Sequence, residues 1–519
     1  MYKDAPLNRS IRIVQRLLIA AVLLASLFVF CSYARRLPIV GDETLGYYTI
    51  NQPTLRAMLH FQLTTPLVLE PPTFEILAHF SEALLGLTAM SIRLPSILSF
   101  VLLQFFLFAT LRKIAGFRPA LVAAVLPLVL NITVFAPVAR PYAFLLATSM
   151  GAFFCWQYAS HHSRFRVLAL CGLAVSVGLA ITSQFYGALI VLPLMAGELL
   201  RSVSARRWRI STWIALFAGA CTVLLDVPFR NAAAAYKENV PRDTGLGFHT
   251  IAGTYFSLLL RSDRVYRAGR ETLLSFVMAA VLSYLLYRSY RYVRHTAGLS
   301  AYLPEWLAFS VLALLPLLIV PIAYWVVGTY QSRHCVICVP GFIALLVLSI
   351  AGGLARITER QWWTILVLAG CLGPVLFVRQ LRHMSAHEAD FLTSLQTQGS
   401  MLTSREKNPG KPIYVAALQC VDFAQNLPPE LLSHFRCLYS DHSLRYIYLT
   451  EEALMQHTTF PIRFASYEEF KGDLPAYLVY TPFVKEEWIP TMLKIDGAKM
   501  ESLGPGLDGT IYSVSIPGK

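Results

Sequence analysis

The stretch RLLIAAVLLASLFVFCSYARRLPIVGDETLGYY, residues 16–48, decides the fold class. Its first part is an apolar run, 17–30, broken only by Ser26. With its flanks it is long enough to cross a bilayer as a helix, which takes roughly 17–25 residues. No small-residue cleavage site follows, and many further apolar blocks do, so the run reads as a retained helix and not a signal peptide. Two adjacent carboxylates, Asp42 and Glu43, come about ten residues after it. Their meaning depends on the side of the membrane on which they lie.

The whole chain fits that opening. Of 519 residues, 56% are hydrophobic and 14% charged, where a soluble protein carries about 25% charged residues. The composition predicts a mostly α, polytopic membrane protein. The apolar blocks mark about eleven spans, near 13–32, 94–111, 119–136, 141–159, 167–183, 184–200, 210–227, 272–288, 305–327, 335–354 and 361–378. With the N-terminus in the cytoplasm, alternate loops hold Arg112, Lys113 and Arg118; Arg164 and Arg166; Arg201, Arg206, Arg207 and Arg209; Arg288, Arg291 and Arg294; and Arg356 and Arg360. Every short basic loop then falls on one side, as the positive-inside rule requires. The long segments, 33–93 and 228–271, and everything after 378 fall on the other. This places Asp42 and Glu43 outside, away from the cytoplasmic nucleotide pool.

Net charge is +14, carried unevenly: residues 379–519 hold 13 basic and 16 acidic side chains. The excess positive charge therefore lies among the spans, where it sets topology and does not make a nucleic-acid face. The chain divides at that point into a membrane part, 1–378, and a small extracytoplasmic α/β domain, 379–519. In the latter, PIYVAAL (412–418), AYLVYT (476–481) and TIYSVSI (510–516) read as strands, with amphipathic helical stretches between. Segment 73–90 places Glu75, His79 and Glu82 on one helical face, which favours an amphipathic helix at the interface over a twelfth span.

Cys420 and Cys437 form the one cysteine pair in the soluble tail, and on an oxidising side they could bridge. Cys335 and Cys338 have CxxC spacing, but they open an apolar span and no second pair accompanies them.

The charged residues at the outer face carry the chemistry. Glu70 precedes Pro71 and Pro72, which limit backbone freedom at the start of the interfacial helix. Asp42 as a helix cap and Glu70 as a favourable helix-terminal charge are the bland alternatives. Arg140, in VARPYAF (138–144), and Arg333, in GTYQSRHC (328–335), are outward arginines on the carboxylate side. Two guanidiniums there suggest an anion, and phosphate suits their forked donors. Tyr142 lies beside the first, and the loop 228–271 adds Lys237 and His249. The set suits a reaction in which a lipid phosphate leaves, a hydroxyl attacks and a carboxylate takes the proton.

Asp42-Glu43 after the first span, Glu70-Pro71-Pro72, Gly86, Ile92-Arg93-Leu94-Pro95-Ser96, Arg140-Pro141-Tyr142 and the Arg333 motif, in that order, resemble the GT-C membrane glycosyltransferases of the protein O-mannosyltransferase-like and lipid A aminoarabinose transferase-like family. The resemblance implies a polyprenyl-phosphate sugar donor, with a lipid, glycan or protein acceptor. It makes Asp42 the catalytic carboxylate, with Glu43 in support, and puts Glu70 near the donor phosphate and a metal. Arg140, Arg333, Tyr142 and Lys237 become the phosphate-binding set. Glu70 with His249 would suit a divalent zinc or manganese ion. At Arg140 the chain departs from the aminoarabinose branch, which places an acidic residue there. The competing class is a lipid or lipid-linked-sugar flippase. Such transporters bury charge near the midplane, whereas these acidic groups gather at one face.

Overall fold

The computed structural model describes residues 9–65, 67–161, 164–237, 248–260, 271–327, 330–354, 356–358, 360–364, 378, 389–390, 392–404, 412–416, 419–439, 451–455, 460–480, 488–506 and 509–517. The chain is a helical membrane bundle followed by a C-terminal sheet. Among the described residues, seven helical segments are long and apolar enough to cross a membrane: Ile11–Ala34, Ala89–Ala115, Phe185–Ser204, Ile210–Ala234, Thr272–His295, Ser300–Trp325 and Ser332–Leu354. Two shorter apolar helices, Phe117–Val129 and Arg166–Ile181, and the 20-residue Tyr142–His161 accompany them. The first ten expected spans therefore all fall on helices. The eleventh, 361–378, is described only at 361–364 and 378. At 1.5 Å per residue, Tyr142–His161 is about 30 Å long, the thickness of the hydrocarbon core.

The bundle is held by a continuous apolar core that includes Phe30, Phe100, Leu103, Phe153, Trp156, Phe309 and Phe342. Phe153 and Phe309 stack with centroids 5.0 Å apart. Small residues let helices approach closely, as membrane packing favours. A Cβ on Gly341 would lie 2.5 Å from the Ala313 amide nitrogen, so Val339–Leu354 and Leu303–Leu314 meet backbone to backbone only because that position is glycine. Leu17, Leu24, Phe28, Val167, Phe217, Leu224, Phe276 and Trp325 face outward. This is the surface expected of helices solvated by lipid.

A second group of charges is buried at the other end of the bundle. Glu198, Arg201 and Glu305 are buried together, with Arg201 donating to Glu198 at 2.9 Å and to Glu305 at 2.8 Å. Glu305 also meets His161 at 3.0 Å, and Trp156 Nε1 donates to Glu198 at 2.8 Å. The group lies at the end of Tyr142–His161 opposite the candidate site, and it ties three helices by paired charge.

Between the first and second long spans the chain makes three short helices: α1 (Asp42–Ile50), α2 (Leu55–Thr64) and α3 (Thr73–Leu85). The 13 residues of α3 are too few to cross a bilayer. It buries Phe74, Glu75 and Ala78 against the protein and turns Phe80, Leu84 and Leu85 outward. The acidic face is thus the inner one, and the apolar face is free for the membrane surface.

The C-terminal strands are β1 (Ile413–Ala416), β2 (Phe435–Tyr439), β3 (Arg463–Ser466), β4 (Ala476–Tyr480), β5 (Lys499–Gly506) and β6 (Gly509–Ser515), in sheet order β3-β2-β1-β4-β6-β5. The first four are parallel, and β6 and β5 close the edge antiparallel. All of β1 is buried, because Ile413 and Val415 enter one apolar cluster and Tyr414 and Ala416 another. Parallel sheets are covered on both faces in this way. Cys420 and Cys437 are disulfide-bonded, tying the helix Gln419–Asn426 to β2. Cys335 and Cys338 are free and buried.

Candidate active site at the carboxylate end of the bundle

The site begins at Gly41, whose φ of +59° turns the chain into α1. That left-handed conformation favours glycine. Asp42 and Glu43 then occupy the first turn of α1, about 100° apart around the helix. Because of that rotation, two adjacent carboxylates enter different environments.

Glu43 points inward. It accepts from Arg93 Nε at 2.7 Å and from the Ala139 amide at 2.7 Å, and pairs a second time with the Arg93 guanidinium. Arg93 Nη1 donates to the Ala34 and Leu37 carbonyls at 2.7 and 2.8 Å, and Nη2 to Pro38 at 2.8 Å. Both side chains are buried. The pair locks the end of the first span, α1 and the start of Ala89–Ala115 into one unit. A charge this deep persists only when paired and fully hydrogen-bonded.

Asp42 points outward, with 46% of its side chain exposed, and pairs with Arg333 from the turn Ser332–Cys338. Arg140 Nη1 lies 3.5 Å from the Asp42 carbonyl. Burial raises the Asp42 carboxyl, but the Arg140 and Arg333 guanidiniums outweigh it and hold it below the usual carboxylate range. Arg140 pairs with Glu70, which precedes α3, and the Gln62 amide nitrogen holds the Glu70 carbonyl at 2.8 Å. The Tyr142 ring lies under Arg333 at 6.0 Å, and His334 stacks on Tyr186 at 5.0 Å. Four segments distant in sequence therefore converge: 42–43, 70–75, 140–142 and 333–334.

Two buried donors here, Arg140 Nε and Arg333 Nε, make no hydrogen bond among the described residues, nor do Glu70 Oε2 and Glu75 Oε2. Buried polar atoms are usually satisfied, and such vacant valences suit a polar ligand. Glu75 was not among the expected site residues. Burial, with a smaller contribution from the Glu70 charge, pushes its carboxyl up to about 8. It is therefore a neutral acid at pH 7. The helical spacing of Glu75, His79 and Glu82 was the available signal.

Two further expected residues come from the long outer loop. His249 is exposed on the helix Phe248–Leu260, and the side chain of Lys237, last in Val227–Lys237, lies outside the described residues. Among the described residues no three His, Cys, Asp or Glu side chains gather as metal ligands. Glu70, the leading candidate ligand, already neutralises its charge against Arg140. The guanidinium engages Oε1 and leaves Oε2 without a hydrogen bond among the described residues.

The fold and the site together define a multi-pass membrane protein with a cluster of paired carboxylates and arginines at one end of the bundle and a sheet region against it. That arrangement is the GT-C fold of membrane glycosyltransferases, and two solved structures share it along almost their full length. ArnT from Cupriavidus metallidurans bound to undecaprenyl phosphate matches with a TM-score of 0.55 and 14% identity, over 97% of this chain and 98% of that one. The same protein in the apo state matches with a TM-score of 0.57 and 14% identity, over 96% and 97%. Residues 69–229 match the family of dolichyl-phosphate-mannose-protein mannosyltransferases. That segment includes Glu70, Glu75, Arg93, Arg140 and Tyr142. No curated protein matches the chain.

Proposed function

We propose that the chain is an integral membrane glycosyltransferase that moves a sugar from a polyprenyl-phosphate donor to a lipid, glycan or protein acceptor at the extracytoplasmic face. The observation that carries this reading is the Asp42–Arg333 pair beside Arg140: an ionised, half-exposed carboxylate next to two guanidiniums. The matches to an undecaprenyl-phosphate-bound ArnT and to a mannosyltransferase family support the donor class. The one-sided basic loops support the orientation, with the membrane catalytic part as 1–378 and the α/β domain, 379–519, outside.

The acceptor hydroxyl attacks the anomeric carbon on the face opposite the phosphate. As that bond forms, its proton passes to Asp42. The bond from the anomeric carbon to the phosphate oxygen breaks, and its electron pair leaves with the polyprenyl phosphate. Arg140 and Arg333 stabilise the charge that develops there. Displacement from the far side inverts the anomeric centre. Donor binding also prepares the base: a phosphate that engages Arg333 weakens the field that holds Asp42 low, so its proton affinity rises when the donor arrives. Glu43 acts in support, by fixing α1 through Arg93. Tyr142 orients Arg333, and Lys237 from the long loop adds positive charge for the phosphate.

Asp42→Asn tests the reading. It keeps size and removes the base, and at a half-exposed position it should leave the protein folded. Loss of a general base typically costs about 10²–10⁴ in rate. Transfer from the lipid-linked sugars of a deletion strain to membrane acceptors should fall by that factor. Near-wild-type transfer by a folded Asp42→Asn protein would refute it.

A further inference from the structure

The N-terminus of α1 carries the proposed base, yet its own cap residue, Gly41, has no side chain to cap it. The cap comes from 381 residues further along the chain. Asp422, on the helix Gln419–Asn426, accepts from the Gly41 amide at 3.0 Å and from Thr44 Oγ1 at 3.4 Å. One turn on, Asn426 Nδ2 donates to the Ile39 carbonyl at 3.0 Å and to the Asp422 carbonyl at 3.0 Å. Beneath these bonds Tyr48 and Leu67 pack with Val421, Ala453 and Leu454, and the Tyr48 and Phe460 rings lie 5.3 Å apart. The Cys420–Cys437 disulfide fixes the same helix to β2.

We infer that Asp422 is a positioning residue for the transfer reaction: the C-terminal region completes the active site by capping α1 and fixing the backbone that carries Asp42. This rests on the reading of Asp42 as the base. A carboxylate accepting from the first amides of a helix is a favourable cap, both as a hydrogen-bond acceptor and against the helix dipole. Here the capped amide belongs to the residue before the base, while Arg140 reaches the carbonyl of the base itself. The backbone of Asp42 is thus held on both sides by residues from other segments. A glycine hinge with φ of +59° would otherwise leave that turn easy to reorient.

The experiment uses the full-length protein in lipid nanodiscs. Amide hydrogen exchange over residues 41–44 should quicken roughly five- to thirtyfold in Asp422→Ala, as loss of a helix cap does. Exchange in 89–115 should not change. Asp422→Asn keeps the acceptor and should restore wild-type exchange. With the polyprenyl-phosphate sugars of a deletion strain as donor pool, kcat should fall about tenfold in Asp422→Ala, with KM for the lipid donor unchanged and rescue in Asp422→Asn. Unchanged exchange in Asp422→Ala overturns the cap. Quickened exchange with unchanged kcat overturns the positioning role. Absence of transfer in the wild-type protein would instead defeat the functional reading and the role that rests on it, while the exchange result would still report on the cap.

Discussion

Glu75→Gln probes the site through its protons. Glu75 is 2% exposed on the inner face of α3, with one carboxylate oxygen unpartnered and the Glu70 charge nearby. Its carboxyl rises from an ordinary 4.5 to about 8, first by burial and then by that charge. A group whose folded pKa is raised stabilises the fold fully below its unfolded pKa, and the contribution is lost as pH climbs through the folded one. The window is therefore pH 4.5 to about 8. At about 1.4 kcal/mol per unit, the loss by pH 7 is about 3 kcal/mol. Glutamine copies the neutral acid in shape and does not titrate. Wild type and Glu75→Gln should melt alike at pH 5. At pH 7 the variant should melt about 3 °C higher, for a chain of this length unfolding as a unit. Melting by intrinsic fluorescence in one detergent from pH 5 to 9 measures the difference. The infrared carbonyl band of a protonated carboxyl should be present in wild type at pH 7 and weaker in the variant. Parallel pH profiles and identical infrared spectra would show that Glu75 is ionised and solvated, which defeats the burial argument.

Arg333→Gln should weaken binding of undecaprenyl phosphate about ten- to a hundredfold, since a charge-assisted hydrogen bond contributes about 1.5–3 kcal/mol; unchanged affinity in a titration would remove Arg333 from the phosphate site. Glu43→Gln should be far more destabilising than Asp42→Asn, because it leaves the Arg93 guanidinium buried without a counter-ion, at about 3–5 kcal/mol. Comparable melting temperatures for the two variants would contradict that division of labour. Exhaustive chelation should leave transfer intact, as Arg140 already supplies the positive charge beside Glu70; activity lost on chelation and restored by zinc or manganese would overturn the charge argument.

Much of the fold was legible because membranes read sequence crudely. A run of apolar residues of bilayer length has few alternatives to a helix. The strands at 412–418, 476–481 and 510–516 announced themselves by β-branched and aromatic content, and strands form at 413–416, 476–480 and 509–515. Asp42, Glu43, Glu70, Arg140 and Arg333 stood out because charge at a membrane face is costly to keep without a use.

Sequence alone could not say which charge met which. Asp42 and Glu43 are neighbours in the chain, and only the helical turn of α1 sends one to a solvated guanidinium and the other to the buried Arg93. Glu70 reads in the sequence as a carboxylate before two prolines, and only packing brings Arg140, 70 residues on, against it. Asp422 carried no motif at all. Its contact with Gly41 joins residues 381 apart, a pairing fixed by the docking of a whole sheet region against the bundle. Local pattern encodes which segments are helices and which ends are charged. Partners are set by long-range packing, and that information is spread over every residue of the core.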